Sequence, residues 1–317
     1  MTTPTVRSTN PLGARPAGCP GFFCRALQTR FIVNPHSGGA ARALARVQAF
    51  AANAGAGIVL TTHPRHASEL AARALDEGCE LIVAVGGDGT LNEVAASLVG
   101  TAATFGLIPC GSGNGLGRHL GIHGRVEHSL EILRTGQPRL IDTGLADGHP
   151  FFTAAGLGFE AEVSARFNRL TDRGFFRYLT TSAPLWRQHV PEDCWIEHEG
   201  RRISVQAFTL AVANSDQYGN HALIAPGARV DDGLLDLTVI PPVSALQALP
   251  MLVRLFNGSI GRSPGVLRLQ AARFVVERPA PGLIHTDGET HPAGPRVEFT
   301  VRPGSLRVLA PALVTNP

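Results

Sequence analysis

Three acidic groups in this chain sit beside glycines that leave the backbone bare: Asp88 within Gly86-Gly87-Asp88-Gly89, Asp231 and Asp232 before Gly233, and Asp287 and Glu289 on either side of Gly288. A glycine turn in front of a helix offers unpaired backbone N–H groups and the positive end of the helix dipole, and both favour phosphate. A carboxylate inside such a turn repels phosphate unless it carries a metal, takes a proton or orients a hydroxyl. Asp88 between its glycines therefore points to phosphoryl transfer rather than passive nucleotide storage. A tight strand–helix turn whose aspartate only caps the helix is the simpler reading of those four residues taken alone. Asp231 and Asp232 can hold Mg²⁺ or Ca²⁺ together with backbone carbonyls, or they can close an Asp-Gly hairpin turn. Asp287 and Glu289 flank a second Asp-Gly turn. That motif gains weight only if its loop faces the glycine turns of the first half.

The elements that must position these groups are readable around them. Leu81 to Val85 is an apolar run of buried-strand type, and Leu91, Val94, Ala95 and Leu98 recur at helical spacing after the turn. The Thr90 hydroxyl can cap that helix. The same pattern opens the ordered chain: Phe31 to Asn34 as a strand, then Pro35 to Ala40, then a helix with Leu44, Val47 and Ala51 on one face. Ser37, Gly38 and Gly39 can offer N–H and hydroxyl groups to an anion, although a plain βα loop reads equally well there. Gly57 to Thr62 is the second strand, followed by a helix with Ala67, Leu70, Ala71 and Ala74; Thr104 to Ile108 is the fourth strand. This βαβαβαβ order predicts a parallel sheet covered on both faces, with ligands at the carboxyl ends of the strands. The glycine turns lie at those ends and can share one site. After the fourth strand, glycines alternate at 111, 113, 115 and 117, a spacing that fits neither the dinucleotide fingerprint nor the Walker loop. Ser112 and Asn114 can bind phosphate or ribose oxygens, and Arg118 can reach a phosphate.

Arg139 to Leu145 reads as a strand carrying Asp142, and beyond it the pattern is mostly strands: 194–198, 203–213, 234–240, 266–269, 274–277, 297–301 and 306–309, with one helix over 245–257. The expected architecture is an α/β N-terminal domain with a mainly parallel sheet, followed by a β-rich, sandwich-like domain. The expected limits are a mobile leader over 1–28, the α/β domain over 29–142 and the β-rich domain over 143–317. Arg166 to His189 is a helical pattern of mixed arginines and aromatics. It can meet anionic headgroups, or pack its rings inward and solvate its arginines.

With 28 basic and 25 acidic residues among 317, the net charge of +3 is too mild to make nucleic acid the main partner. Five cysteines without zinc spacing predict reduced thiols in a cytosolic protein. No apolar run approaches the ~20 residues needed to span a bilayer, and the N-terminus lacks the apolar core of a secretory signal. The expected location is cytoplasmic, peripheral at a membrane when acting.

Together VNPHSGG, GGDGTLNE, IPCGSGNGLGRHLG, IAPGARVDDGLLDL and TDGE, in this order between Arg30 and Pro311, resemble the diacylglycerol kinase catalytic-domain family, which includes bacterial soluble lipid kinases and sphingosine kinases. NAD kinases and phosphofructokinases resemble it in GGDG only. The resemblance implies ATP between the two domains, its phosphates over Gly86, Gly87, Asp88, Gly89, Thr90, Asn92 and Glu93 and over the second glycine loop with Gly111, Ser112 and Asn114. Asn34 and Ser37 to Gly39 would border the nucleotide, and Thr62 and Ser112 would contact it. Asp88 matches the acid treated as catalytic in sphingosine kinases, and Glu289 matches the proposed general base of bacterial members, with Asp287 beside it. A structural Mg²⁺ would fall on Asp232 with the carbonyls of Arg229 and Leu234, and Asp142 matches an acid linked to catalytic magnesium. Gly115 stands where many diacylglycerol kinases carry aspartate, a form nearer to the sphingosine kinase branch. The implied activity is transfer of the γ-phosphate of MgATP to a hydroxyl of a lipid alcohol of diacylglycerol or sphingoid-base type, with transient contact to a membrane surface; a homodimer is compatible. A kinase for a soluble substrate such as NAD, and a non-catalytic nucleotide- or lipid-binding regulator, are the other two classes.

Overall fold

The computed structural model describes residues 27–168, 182 and 184–312. The expected leader falls almost wholly outside these residues, as does much of the arginine- and aromatic-rich segment after Arg166.

The first lobe alternates strands and helices: β1 (Thr29–Val33), α1 (Ala40–Asn53), β2 (Gly57–Leu60), α2 (His66–Asp76), β3 (Leu81–Gly86), α3 (Asp88–Leu98) and β4 (Thr104–Pro109). The four strands lie parallel in the order β2-β1-β3-β4, with Phe31 opposite Ile58 and Val83, and Val83 opposite Gly106. Burial on both faces explains why β1 and β3 read as unbroken apolar runs. Ile32, Ile82 and Ala84 pack beneath α2 and α3 with Leu70, Leu91 and Val94. Phe31, Val33, Leu81, Val83 and Val85 point the other way, onto Ala43 and Val47 of α1. Two further helices, α4 (Gly115–His119) and α5 (Val126–Thr135), follow β4, and Leu133 of α5 closes the second face.

The second lobe begins in β5 (Gln137–Ala146), β6 (His149–Phe151), β7 (Ala154–Gly158) and α6 (Phe159–Phe167). It continues through β8 (Glu192–His198), β9 (Arg201–Ala207), β10 (Thr209–Ala213), β11 (Leu235–Ile240), α7 (Ala245–Phe256), β12 (Leu267–Ala271), β13 (Arg273–Glu277), β14 (Gly282–Thr286), β15 (Glu289–Ala293) and β16 (Arg296–Ala310). An antiparallel sheet, β12-β11-β10-β7-β14-β15, faces the extension of the first-lobe sheet, which runs β4-β16-β13-β8-β9. Leu157, Leu210, Val212 and Leu237 from one sheet interdigitate with Ile196, Phe274, Val276 and Phe299 from the other, as aligned sandwiches do.

The single run expected over 203–213 divides at Phe208, so that β9 joins one sheet and β10 the other. The two strands expected over 297–301 and 306–309 are one strand, β16, with an irregularity between Arg302 and Leu306 where Pro303 and Gly304 stand. The last part of β16 lies parallel to β4, with Val308 opposite Phe105, and so returns to the first lobe. The Asp-Gly turn at Asp287 and Gly288 joins β14 and β15 in a hairpin whose two strands are not among those expected. Among the described residues no helix is long and apolar enough to cross a membrane.

Candidate active site

The loops leaving β1, β3 and β4 converge at the carboxyl end of the parallel sheet. The Gly39 N–H donates to Cys110 O at 2.9 Å, joining the first loop to the third. A Cβ on Gly111 would stand 2.9 Å from the Gly87 Cα, so the second and third loops touch backbone to backbone and only glycine fits. Thr90 does not cap α3: Gly87 holds the N-cap position without a side-chain bond, and the Thr90 hydroxyl instead accepts from Asn34 Nδ2 at 3.0 Å. That bond fixes the first loop against the second.

Asp88 is the first residue of α3. Its Oδ2 accepts from Asn114 N at 2.8 Å and its Oδ1 from Gly115 N at 2.9 Å, the amides that open α4. Asn114 sits in the left-handed region at φ 52 and folds its own side chain onto Gly111, accepting from Gly111 N at 3.0 Å and donating to Gly111 O at 2.8 Å. Asp88 is therefore the clamp between the two glycine loops as well as a wall of the cavity. Arg118 does not turn to that wall; its Nε donates to Gly113 O at 2.8 Å, and Nη1 lies 2.9 Å from His221 Nε2. A Cβ on Gly115 would come within 3.0 Å of both Thr153 Cγ2 and Tyr218 O. The space an aspartate would need at 115 is filled by the second lobe.

Glu93, half-buried, accepts from Arg65 N at 3.3 Å and Ala67 N at 3.1 Å, holding the start of α2. Burial raises its pKa, against the pull of these amides, and the negative charge of Glu289 across the cleft raises it further. Thr62 shares a contact of 3.1 Å with His66 Nδ1 and lies outside the cavity wall, as do Gly39, Gly86 and Asn114. Asn34, Ser37, Gly38, Gly87, Asp88 and Gly89 line that wall. So do Thr90, Asn92, Glu93, Gly111 and Ser112.

The turn of the β14–β15 hairpin forms the opposite wall, so the TDGE loop does face the glycine turns. Asp287, at φ 49, accepts from Phe152 N at 2.7 Å, Thr153 N at 2.8 Å, Ala154 N at 3.1 Å and the Thr153 hydroxyl. Burial pushes its carboxyl up while the four donors pull it down. Asp287 is thus an anchor for the segment entering β7. Glu289 is exposed, borders the cavity and makes no side-chain hydrogen bond or ion pair among the described residues. Of the acids facing the glycine loops, it is the one with an unengaged carboxylate.

The cavity, about 1720 Å³, continues from this cleft into an apolar chamber lined by Phe159, Phe208, Ile240, Met251, Leu255 and Phe256. Between the two parts stand Glu160, Tyr218 and His285. In the sequence Glu160 is marked only as an acid after the glycines that end β7 and His285 only as the residue before TDGE, while Tyr218 carries no mark.

The expected metal set lies apart from the cavity. Asp142, 3% exposed, accepts from Gly233 N and Gly304 N, both at 2.7 Å, and so ties the 230–233 turn to the bend in β16. Asp232 is exposed, with Oδ1 accepting from Leu234 N at 3.0 Å, while Asp231 pairs with Arg229 at 3.1 Å and Arg139 at 3.0 Å. One carboxylate and two carbonyls at 229 and 234 are hard oxygen donors of the kind Mg²⁺ takes. The nearest approach of three metal-ligating side chains among the described residues is elsewhere, at His63, His66 and Glu69. There His66 Nδ1 already accepts from Thr62 N at 3.0 Å.

Residues 28–146 match the diacylglycerol kinase catalytic domain, and residues 153–310 match the YegS C-terminal NAD kinase beta sandwich-like domain. A Pseudomonas aeruginosa protein named Probable lipid kinase YegS-like is 32% identical over 260 residues, covering 78% of this chain and 82% of that one. A Mycobacterium tuberculosis protein named Diacylglycerol kinase is 30% identical over 254 residues, covering 77% and 81%. The chain spans little more than half, 56%, of a Synechocystis protein named Uncharacterized protein sll0036, to which it is 32% identical over 244 residues. The crystal structure of a diacylglycerol kinase from Bacillus anthracis shares the fold, with a TM-score of 0.70 at 17% identity over 91% of this chain and 98% of that one. With the converging glycine loops on one wall and the TDGE turn on the other, these likenesses have one reading: the chain belongs to the diacylglycerol kinase catalytic-domain family, a family of kinases.

Proposed function

We propose that this protein transfers the γ-phosphate of MgATP to the hydroxyl of a lipid alcohol. The observation that carries the reading is the single cavity that joins the glycine loops to an apolar chamber, with the carboxylate of Glu289 on its lining. In this reading residues 29–142 hold the nucleotide and residues 143–317 hold the lipid. The backbone N–H of the loop at Gly87 receives phosphate oxygens, and Ser37 and Ser112 add hydroxyls. Bound magnesium would neutralise charge on the phosphates, where most of the catalysis of this chemistry lies. A structural ion would be held by Asp232 with the carbonyls of Arg229 and Leu234. Glu289 accepts the proton of the lipid hydroxyl. Asp88 keeps the two glycine loops in register and presents its remaining lone pairs to the cavity. The acyl tails occupy the chamber behind Phe159 and Phe208, so the enzyme meets its substrate at a membrane surface from the cytoplasmic side.

The test is transfer of radiolabelled γ-phosphate from MgATP to a mixed lipid extract in detergent micelles. A labelled lipid is expected from the wild type. Asp88→Ala and Glu289→Gln are each expected to lower kcat by about 100-fold, the scale of acid–base and charge-stabilising groups. Near-normal turnover in either variant would remove that residue from its role. Folded, ATP-binding protein that labels no lipid would overturn the proposal, and transfer to NAD without lipid would replace it with a soluble-substrate kinase.

A further inference from the structure

At the waist of the cavity, between the apolar chamber and the acid turn, three polar side chains meet. Glu160, 9% exposed, is the second residue of α6. One of its carboxylate oxygens is hydrogen-bonded to the Tyr218 hydroxyl, and the other lies 3.2 Å from Nε2 of His285, which is 4% exposed on β14. Gly156 on β7 pairs with His285 across the sheet, and a Cβ on it would stand 3.3 Å from that Nε2. The glycine leaves the imidazole room to cross β7 towards Glu160. Among the described residues the other ring nitrogen, Nδ1, is buried without a hydrogen-bond partner.

A buried carboxylate and imidazole beside an apolar chamber are a poor device for stability, and a buried nitrogen left unpaired adds to the cost. With the Tyr218 hydroxyl on one oxygen and the ring N–H on the other, Glu160 keeps only acceptor lone pairs. With its proton on Nε2, His285 also keeps only an acceptor at Nδ1. The unfilled capacity of the cluster is therefore for donors. Diacylglycerol, once its reacting hydroxyl is placed, has only ester oxygens left near its head, and these are acceptors. A sphingoid base brings an ammonium and a second hydroxyl, and a monoacylglycerol brings a second hydroxyl. Strand β14 also fixes the geometry, because Glu289 follows His285 by four residues around the hairpin turn.

We propose that Glu160, His285 and Tyr218 form a headgroup site selecting lipid alcohols that carry a second hydrogen-bond donor beside the hydroxyl to be phosphorylated. The inference rests on the lipid-kinase reading above.

The experiment compares 1-monooleoylglycerol, 1,2-dioleoylglycerol and sphingosine as acceptors for MgATP in the same detergent micelles. The wild type is expected to favour one or both donor-bearing lipids over dioleoylglycerol by about tenfold or more in kcat/KM, the discrimination a buried polar site gives. Glu160→Gln and Tyr218→Phe are expected to erase most of that preference through KM for the lipid, with KM for ATP held. Tyr218→Phe, which removes one hydroxyl, carries the test if thermal melting shows Glu160→Gln to be unfolded. A wild type that phosphorylates all three lipids without preference, or prefers dioleoylglycerol, overturns the headgroup site alone. So do variants that keep the wild-type preference. A wild type that phosphorylates none of them overturns the lipid-kinase reading and the headgroup site with it.

Discussion

The two ends of the cavity are built from different material. At the glycine-loop end the wall is backbone, held by carboxylates and an amide: Asp88 across two loops, Glu93 at the start of α2, and Asn34 on Thr90. At the far end the wall is side chains, contributed by α6, β10, β11 and α7. There Phe159 leans on Phe208 with ring centroids 4.6 Å apart. Helix α7 leaves Leu246 89% exposed and Leu249 68% exposed, so the apolar end opens outward along an apolar helix. The difference teaches what each end tolerates. A backbone cradle fails when one clamp is lost, because several amides lose their acceptor together. A side-chain chamber loses contact area in proportion to what is removed.

The largest expected effect tests the clamps. Asp287→Ala leaves three amides and a hydroxyl without their acceptor and is expected to lower the unfolding free energy by about 3 kcal/mol, read from urea titrations. Glu289→Ala, two residues away on the exposed side of the turn, is expected to change stability by less than about 0.5 kcal/mol. Equal losses in the two variants would break the distinction between anchor and reagent.

A smaller effect tests the chamber. Leu255→Ala is expected to raise KM for the lipid about tenfold with KM for ATP unchanged, the scale of a few buried methyl groups. Steady-state rates over both substrates separate the two constants. A change in KM for ATP would show that the ends are not independent.

The smallest effect tests the tie between the lobes. Asp216 lies 2.8 Å from His119 Nδ1, linking the end of α4 to the loop after β10. Burial would raise the Asp216 pKa, but the hydrogen bond and charge of His119 outweigh it and the net shift is downward. A folded-state pKa below the unfolded one contributes stability that is complete above the unfolded carboxylate range and is lost as pH falls through the folded value. The stability gap between wild type and His119→Gln is therefore expected to be less than about 1 kcal/mol at pH 7, because the pair is partly solvated, and to shrink by pH 3. A gap that widens in acid would reverse the assignment.

The parallel half was legible because its strands are buried on both faces. Leu81 to Val85 and Phe31 to Val33 carry no polar residue to disguise them. The hairpin that brings in Asp287 and Glu289 was not. Gly282–Thr286 and Glu289–Ala293 mix Gly, His, Thr, Glu and Pro, and only Ile284, His285 and Thr286 of their ten residues are buried. Strand β16 hid behind Pro303 and Gly304, which mark an irregularity rather than an end. The Glu160–His285–Tyr218 group had no pattern to find, since its members come from a helix, a strand and a loop.

The chain by itself determined the chemistry on offer: glycine turns that accept phosphate, and acids placed beside them. Only the tertiary structure decided which acids are free to react. The oxygens of Asp88 are taken up by amides 26 and 27 residues away, those of Asp142 by amides 91 and 162 away, and those of Asp287 by amides 133 to 135 away. Among the described residues the carboxylate of Glu289 has no such donor in front of it. A carboxylate's availability depends on the N–H groups that face it, and distant parts of the chain supply those groups only once the fold has brought them there.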